Sequence, residues 1–493
     1  MRLKDVLAQT GAEVPVAADA HGEVASVVYD SRQAAPGSLF VAIRGFKSDG
    51  NQFVDDAIRR GARVIVSETP RPAAGAAEVA WVRVPDARKA LALIAANFFG
   101  HPAEKLQLVA VTGTNGKTTT GFLIDSIVRA AGHESGLFGT IVYRTPRAER
   151  PASTTTPESL DLQRFLAEVV EGRGTHAVLE ASSHALALDR LWGCRFAAAV
   201  FTNLTRDHLD FHRTFEDYFA AKRRLFEGTG AGAPAAGVVN HDDPYGKRLA
   251  GLAGQTITYG LTSGAQVTAK KMALQLSGLD FIADTPAGKL EVRSALVGRI
   301  NVYNILAAIA AGLALGFSRQ NIEAGIRRLE AVPGRFERVD LGQPFLVIVD
   351  YAHTDDALKN LITTAREIGA QGRIITLFGC GGDRDRAKRP LMGEAAGRLS
   401  DVVVLTSDNP RSEDPRLIIN DALVGLQRTE AKVLVEADRA RAVDLALDQA
   451  RPGDIVLLAG KGHENKQVLK NGAVDFDDRE VARRVLRSRG YGE

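Results

Sequence analysis

Short apolar runs recur along the chain, and stretches with helical spacing separate them. Residues 24–29, 40–43, 64–67 and 81–84 read as strands. A helix is expected over 53–60, and Asp86 is placed to cap another that runs to Phe99. Further on, 108–111 leads through a glycine loop into a helix over 117–131, followed by strands at 177–180 and 198–202. Segments 275–283 and 289–294 read as an antiparallel pair, and 299–315 as a buried helix. The pattern then restarts with strands at 345–349, 373–378, 402–406, 433–435 and 455–459, alternating with helices at 357–368, 390–399 and 439–449. Apolar strands separated by helices predict sheets that are mostly parallel and covered on both faces. The expected class is α/β in three domains. A small α/β unit covers 1–89, a central P-loop unit with a doubly wound, mostly parallel sheet covers 90–333, and a Rossmann-like unit covers 334–493.

Length supports this division, because 493 residues exceed what one hydrophobic core serves. The glycines (48) follow no period, which excludes repeat and collagen-like folds. Net charge is only +3, so a basic nucleic-acid-binding surface is not expected. The densest basic groups, 222–224 and 384–389, read by themselves as solvated surface. The two cysteines, Cys194 and Cys380, fit a reducing compartment. Residues 1–16 lack a signal-peptide core, and the longest apolar run, 305–317, is too short for a bilayer. A cytoplasmic protein with no membrane span is expected, and a monomer.

Candidate chemistry begins with Thr112-Gly113-Thr114-Asn115-Gly116-Lys117-Thr118-Thr119, between an apolar strand and a helix. Backbone N–H groups at such a helix start point at an anion. Lys117 would reach the β/γ-phosphates of a nucleotide and Thr118 would bind Mg²⁺. The ordinary P-loop spacing puts a glycine where this chain has Val111. Glu180 ends a strand on the side that faces the ligand crevice, so it is a candidate Mg²⁺ ligand, with a surface carboxylate as the alternative. Asp207, His208, Asp210 and His212 suggest zinc, but no cysteine pair or His-Glu-x-x-His helix accompanies them. Lys222 lies in a helical pattern whose plain reading is an exposed side chain.

Together 112–119, 180–184, 203–212 and 218–226 resemble the central domain of the Mur ligase family, and the resemblance extends over nearly the whole chain. It implies an ATP- and Mg²⁺-dependent ligase that forms an amide through an acyl phosphate. Lys222 would carry a CO₂-derived carbamate, and Glu180 and His208 would be metal ligands beside the catalytic Lys117. Asn301, Asn304, Arg335 and Asp350 match positions that contact or close over the nucleotide, with helix capping as the alternative for the two asparagines. Tyr29, Ser31, Phe46, Lys47 and Ser48 match contacts to a UDP end, and Thr154, Thr155, Thr156, Ser182 and Arg190 match contacts to a muramyl dipeptide.

The amino acid added is a separate question. Asp408-Asn409-Pro410-Arg411 resembles a recognition motif for meso-diaminopimelate, and an Asp/Asn-Pro turn is the alternative. Diaminopimelate carries a second carboxylate that a guanidinium binds bidentately, whereas lysine carries none. Arg411 has that role by resemblance, with Arg384 as a second positive group and Gly460 and Glu464 at the amino end. The family usually has proline where this chain has Asp355. Competing readings are a lysine-adding relative, a folylpolyglutamate synthase, and a nucleotide-driven switch or motor.

Overall fold

A computed structural model describes residues 1–12, 23–45, 48–71, 79–369 and 372–492. Phe46 and Lys47, assigned to the UDP-contact loop from sequence, lie outside the described residues.

Three main sheets follow one another along the chain. The first holds four parallel strands, Ser26–Val28, Ser38–Val41, Ala62–Ser67 and Ala80–Arg83, in that order. Helix Ala87–Phe98 covers it, burying Leu91, Ile94 and Ala95 against Val27, Leu39 and Val64. The cap expected at Asp86 is present: its carboxylate accepts the N–H of Arg88 and of Lys89.

The second sheet has eight strands. Six are parallel, in the order Gln255–Tyr259, Ala236–Asn240, Ala198–Phe201, Gln107–Thr112, His176–Glu180 and Ser135–Phe138. Val142–Arg144 and Glu149–Pro151 extend it antiparallel. Val109, Val111, Val178 and Val200 are fully buried under helices Lys117–Ala130 and Arg299–Ala314. Each such side chain contributes about 1.5–3 kcal/mol of apolar burial. Val111 also accounts for the departure from P-loop spacing, since it is still strand, paired in register with Val200 and Glu180. The loop proper starts at Gly113.

The excursion expected as two strands has three: Thr268–Gln275, Gly278–Thr285 and Gly288–Ser294. Residues 275–283 are not one strand, because a turn at Leu276 and Ser277 divides them, and Gly278 has a φ of 140°.

The third sheet has six strands, ordered Glu337–Arg338, Leu346–Asp350, Ile455–Ala459, Ile374–Cys380, Val402–Ser407 and Lys432–Val435. Only the first pairing is antiparallel. Helix Asp355–Glu367 starts without the family's proline. Thr354 caps it by accepting the N–H of Ala357, and Asp355 and Asp356 fill the first turn, where negative charge is favourable. No helix among the described residues is long and apolar enough to cross a membrane.

Candidate active site

The carboxyl ends of three adjacent central strands converge on the glycine loop. Thr112 closes one strand and Glu180 the next, and Asn203 follows the third. Asn203 anchors the loop, its Oδ1 accepting Asn115 N–H at 2.9 Å and its main-chain carbonyl accepting Thr114 N–H at 2.8 Å. Gly113 and Gly116 have φ of 144° and 84°. A Cβ at Gly113 would collide with the Thr202 hydroxyl, and one at Gly116 with the Asn304 amide oxygen. Both positions therefore require glycine on conformational and steric grounds.

Above the loop lies a cavity of about 250 Å³. Its wall includes Thr114–Thr119, Glu180, Asp207, His208 and Lys222 from the central unit, and Arg335, Asp350, His353 and Asn360 from the third. The third unit thus closes over the loop. Arg335 donates to the Thr118 hydroxyl at 3.1 Å, and Asn115 Nδ2 donates to Asp356 at 2.7 Å. Arg206 and Asp385 add an ion pair at 3.5 Å.

Lys117 Nζ donates to the carbonyls of Gly113 (2.9 Å) and Thr114 (2.8 Å). Burial pushes its pKa down, and Glu180 and Asp207 oppose that shift. Lys222 is 1% exposed, and its Nζ donates to the same Gly113 carbonyl at 2.8 Å. Burial, aided by Lys117, holds its pKa well below the ordinary lysine value. The alternative of a solvated lysine fails here. Helix Phe215–Glu227 buries Tyr218, Phe219, Lys222, Leu225 and Phe226, one stripe at helical spacing, so Lys222 sits on the inward face. Lys388 and Arg389, in the other basic run, are buried too.

Glu180 is 3% exposed and accepts from the main chain and hydroxyl of Thr140 at 2.8 and 3.0 Å. His208 has a φ of 54° and packs beside Asp207, 3.3 Å away. Burial disfavours the imidazolium, so His208 is kept neutral, while the Lys388 cation and the His208 main-chain N–H, 2.9 Å away, favour ionised Asp207 against its own burial. Among the described residues, no three His, Cys, Asp or Glu side chains converge as a metal cluster, so zinc gains no donor set. Mg²⁺ beside a nucleotide has lower demands, because phosphates and water supply most of its ligands. The Glu180 carboxylate and the Thr118 hydroxyl, both on the cavity wall, are hard oxygen donors of that kind.

Asn304 lies under the loop, bonded to Asn301 at 2.9 Å and to Thr120 at 3.3 Å, and Asn301 bonds back to Val297 O. Asp350 ends its strand, accepting the N–H groups of Phe336 and Ala352, and burial raises its pKa.

Thr155 faces Thr140 at 3.2 Å. Thr156 bonds Ser182 at 3.1 Å and accepts Arg190 at its carbonyl, 2.9 Å. Thr154 is exposed and bonds the Thr156 carbonyl. Tyr29 donates across to Asp161 at 2.7 Å, and Arg88 and Arg190 both pair with Glu158, which links the first unit to this row. Ser31 is buried and Ser48 exposed, both within the first unit.

In the third unit, Asp408–Arg411 and Gly460–Glu464 leave the ends of two strands that flank Ile374–Cys380. Asn409 bonds Glu464 at 3.0 Å. Arg411 has a φ of 53° and donates to Gly382 O at 2.7 Å, and burial and the nearby Arg384 lower its pKa. Arg384 is exposed and bonds the Asp383 carbonyl. Pro410 O crowds Gly382, and Gly460 takes a φ of 115°. Sequence reasoning missed two buried cations here. Lys461 bonds Asn409 (3.2 Å) and Glu464 (3.1 Å), although it stands inside the Gly460–Glu464 motif. Arg439 pairs with Asp478 at 2.7 Å and bonds the Ser407 and Ala459 carbonyls, bracing the strand ends from which both motifs emerge.

The chain matches the Mur ligase family catalytic domain over 23–99, the Mur ligase middle domain over 111–312 and the Mur ligase glutamate ligase domain over 334–462. It is 53% identical, over 100% of this chain and 99% of the relative, to the UDP-N-acetylmuramoyl-L-alanyl-D-glutamate–2,6-diaminopimelate ligase of Solibacter usitatus (strain Ellin6076). The chain belongs to the Mur ligase family. As a Mur ligase it is an ATP-dependent, amide-forming enzyme. The ligase of the same name from Geobacillus kaustophilus (strain HTA426) is 46% identical over 95% of this chain and 96% of the relative. A solved structure of such a diaminopimelate ligase superposes with a TM-score of 0.65 at 33% identity, covering 94% of this chain and 95% of the other. MurF ligase from Thermotoga maritima, in complex with ADP, shares the fold at 20% identity, with a TM-score of 0.66 and coverage of 95% and 99%.

Proposed function

We propose that this Mur ligase adds meso-diaminopimelate to UDP-N-acetylmuramoyl-L-alanyl-D-glutamate in the cytoplasm, as a step in peptidoglycan precursor synthesis. The observation that carries the choice of amino acid is the pair Arg384 and Arg411 beside Asn409 and Glu464, in a chain 53% identical to a diaminopimelate ligase. Units 1–89, 90–333 and 334–493 would each present one reactant: the UDP end, ATP and the amino acid.

The terminal carboxylate of the dipeptide attacks the γ-phosphorus of ATP, giving an acyl phosphate and ADP. The diaminopimelate amine then attacks the acyl carbon and phosphate leaves. Lys117 and the glycine-loop N–H groups neutralise charge that builds on the phosphates. Arg335 reaches the loop from the third unit and adds a cation only when the units are closed. Thr156, Ser182 and Arg190 hold the dipeptide end, and Glu464 and Asn409 orient the incoming amine. Glu180 and Thr118, with His208 and Lys222 as a carbamate, would hold Mg²⁺. The metal would supply charge neutralisation at the phosphates. A neutral, buried Lys222 amine suits CO₂ capture, since only the unprotonated amine reacts.

Hydroxylamine trapping tests the first step. With ATP and the UDP-muramyl dipeptide but no amino acid, a hydroxamate should form. ADP release without the dipeptide, and no hydroxamate with it, would refute the acyl-phosphate route.

A further inference from the structure

Arg389 is fully buried, and none of the roles above uses it. Its guanidinium grips Glu413 through two bonds, Nη2 to Oε1 at 2.7 Å and Nη1 to Oε2 at 3.0 Å. Nη1 also reaches Asp421 at 2.9 Å, and Nη2 reaches the Gly381 carbonyl at 3.3 Å. Glu413 in turn accepts the Asp383 N–H at 2.6 Å, and the Asp383 carboxylate accepts the Ser412 hydroxyl at 2.6 Å. These contacts tie the loop Gly381–Arg384 to the loop Arg411–Glu413.

Each loop carries one of the two guanidiniums of the amino-acid site, and each contains a strained residue. Asp383 has a φ of 52° and Arg411 a φ of 53°, in the left-handed region, which costs most at Arg411 because aspartate tolerates it better than arginine. Gly381 lies between the two arginine side chains: a Cβ there would sit 3.0 Å from Arg411 Nη1 and 3.8 Å from Cγ in the Arg384 stem. Burial, and then the like charge of Arg384, lowers the Arg411 pKa. Like charge on the two loops favours their separation. Arg389 and Glu413 oppose that separation from beneath.

Resting on the diaminopimelate reading, we propose that Arg389 and Glu413 are positioning residues. They clamp the two loops so that Arg384 and Arg411 face one anion, the distal carboxylate of the amino acid. The clamp touches no reacting atom. Its effect is to keep a doubly cationic site assembled before substrate arrives, which is what separates a dicarboxylate amino acid from lysine.

The test is steady-state kinetics on the full-length enzyme with Glu413→Gln and Arg389→Lys, each repeated in an Arg384→Met background. Glu413→Gln should raise the KM for diaminopimelate at least tenfold, while the KM for ATP and the rate of hydroxamate formation stay within twofold. In the Arg384→Met background the same change should add less than threefold, because the pair it holds is already broken. Parallel rises in both KM values with slower hydroxamate formation, or a full tenfold effect in that background, would mean that the network only supports the fold. Glu413→Gln keeps the shape, and thermal melts identify any variant that misfolds; if Arg389→Lys does so, the glutamine variant carries the test. Wild-type enzyme that makes hydroxamate but ignores diaminopimelate would instead overturn the underlying reading.

Discussion

Lys117 and Lys222 donate to one carbonyl oxygen, that of Gly113, at 2.9 and 2.8 Å. Two ammonium groups on one acceptor in a buried site repel, and the more deeply buried one gives way. Lys222 is that residue, so the geometry favours its neutral form and the chemistry open to a neutral amine. Lys222→Met should cost at least about two orders of magnitude in turnover while ADP still binds, the scale expected for losing electrostatic stabilisation of the transferring phosphoryl group. A short carboxylate such as formate, added in excess, should restore part of the rate if the missing group is a carbamate. Calorimetry for ADP and turnover with and without formate check both statements.

Gly116→Ala should weaken nucleotide binding, because its Cβ has no room beside Asn304 and the loop must shift. Overpacking of this kind costs about 1–3 kcal/mol, and the positive φ adds strain. A loss on the order of 100-fold in ADP affinity is expected by titration. Asn304→Ala together with Gly116→Ala should recover part of it, since the double variant removes the collision.

A stability prediction concerns His176, which opens a central strand, far from the proposed chemistry. Burial, with His133 nearby, lowers its pKa to about 4. The folded-state value is below the ordinary 6.5, so the unfolded chain binds the proton more readily between the two. Stability should therefore fall as pH drops through 6.5 towards 4. From pH 7.5 to 5.5 the loss from this group is about 1.4 kcal/mol. Chemical denaturation at the two pH values should show His176→Asn losing about that much less than the parent.

The architecture was legible in sequence because strand, turn and helix signals are local. The glycine loop, Glu180 and the Asp86 cap all follow from residues next to one another. The role of Lys222 came from the family resemblance and not from its charge run, which says nothing about which face of a helix it occupies. The spacing of Tyr218, Phe219, Lys222, Leu225 and Phe226 does contain that information. Arg389 and Arg439 were not legible at all: their partners Glu413 and Asp478 lie 24 and 39 residues away, and only the folded sheet brings them together. The division of 275–283 was missed because the turn there has a single glycine and no proline.

The central claim is the identity of the amino acid, and Arg411 tests it. Turnover should be followed with ATP and the UDP-muramyl dipeptide, offering either meso-diaminopimelate or lysine, for the parent and Arg411→Ala. A charged hydrogen bond contributes about 1.5–3 kcal/mol, so losing a bidentate contact should cost on the order of 100-fold in kcat/KM for diaminopimelate. The parent should prefer diaminopimelate strongly, and Arg411→Ala should lose that preference while its KM for ATP stays the same. Equal use of the two amino acids by the parent, or an equal loss of ATP and diaminopimelate use in the variant, would contradict the account.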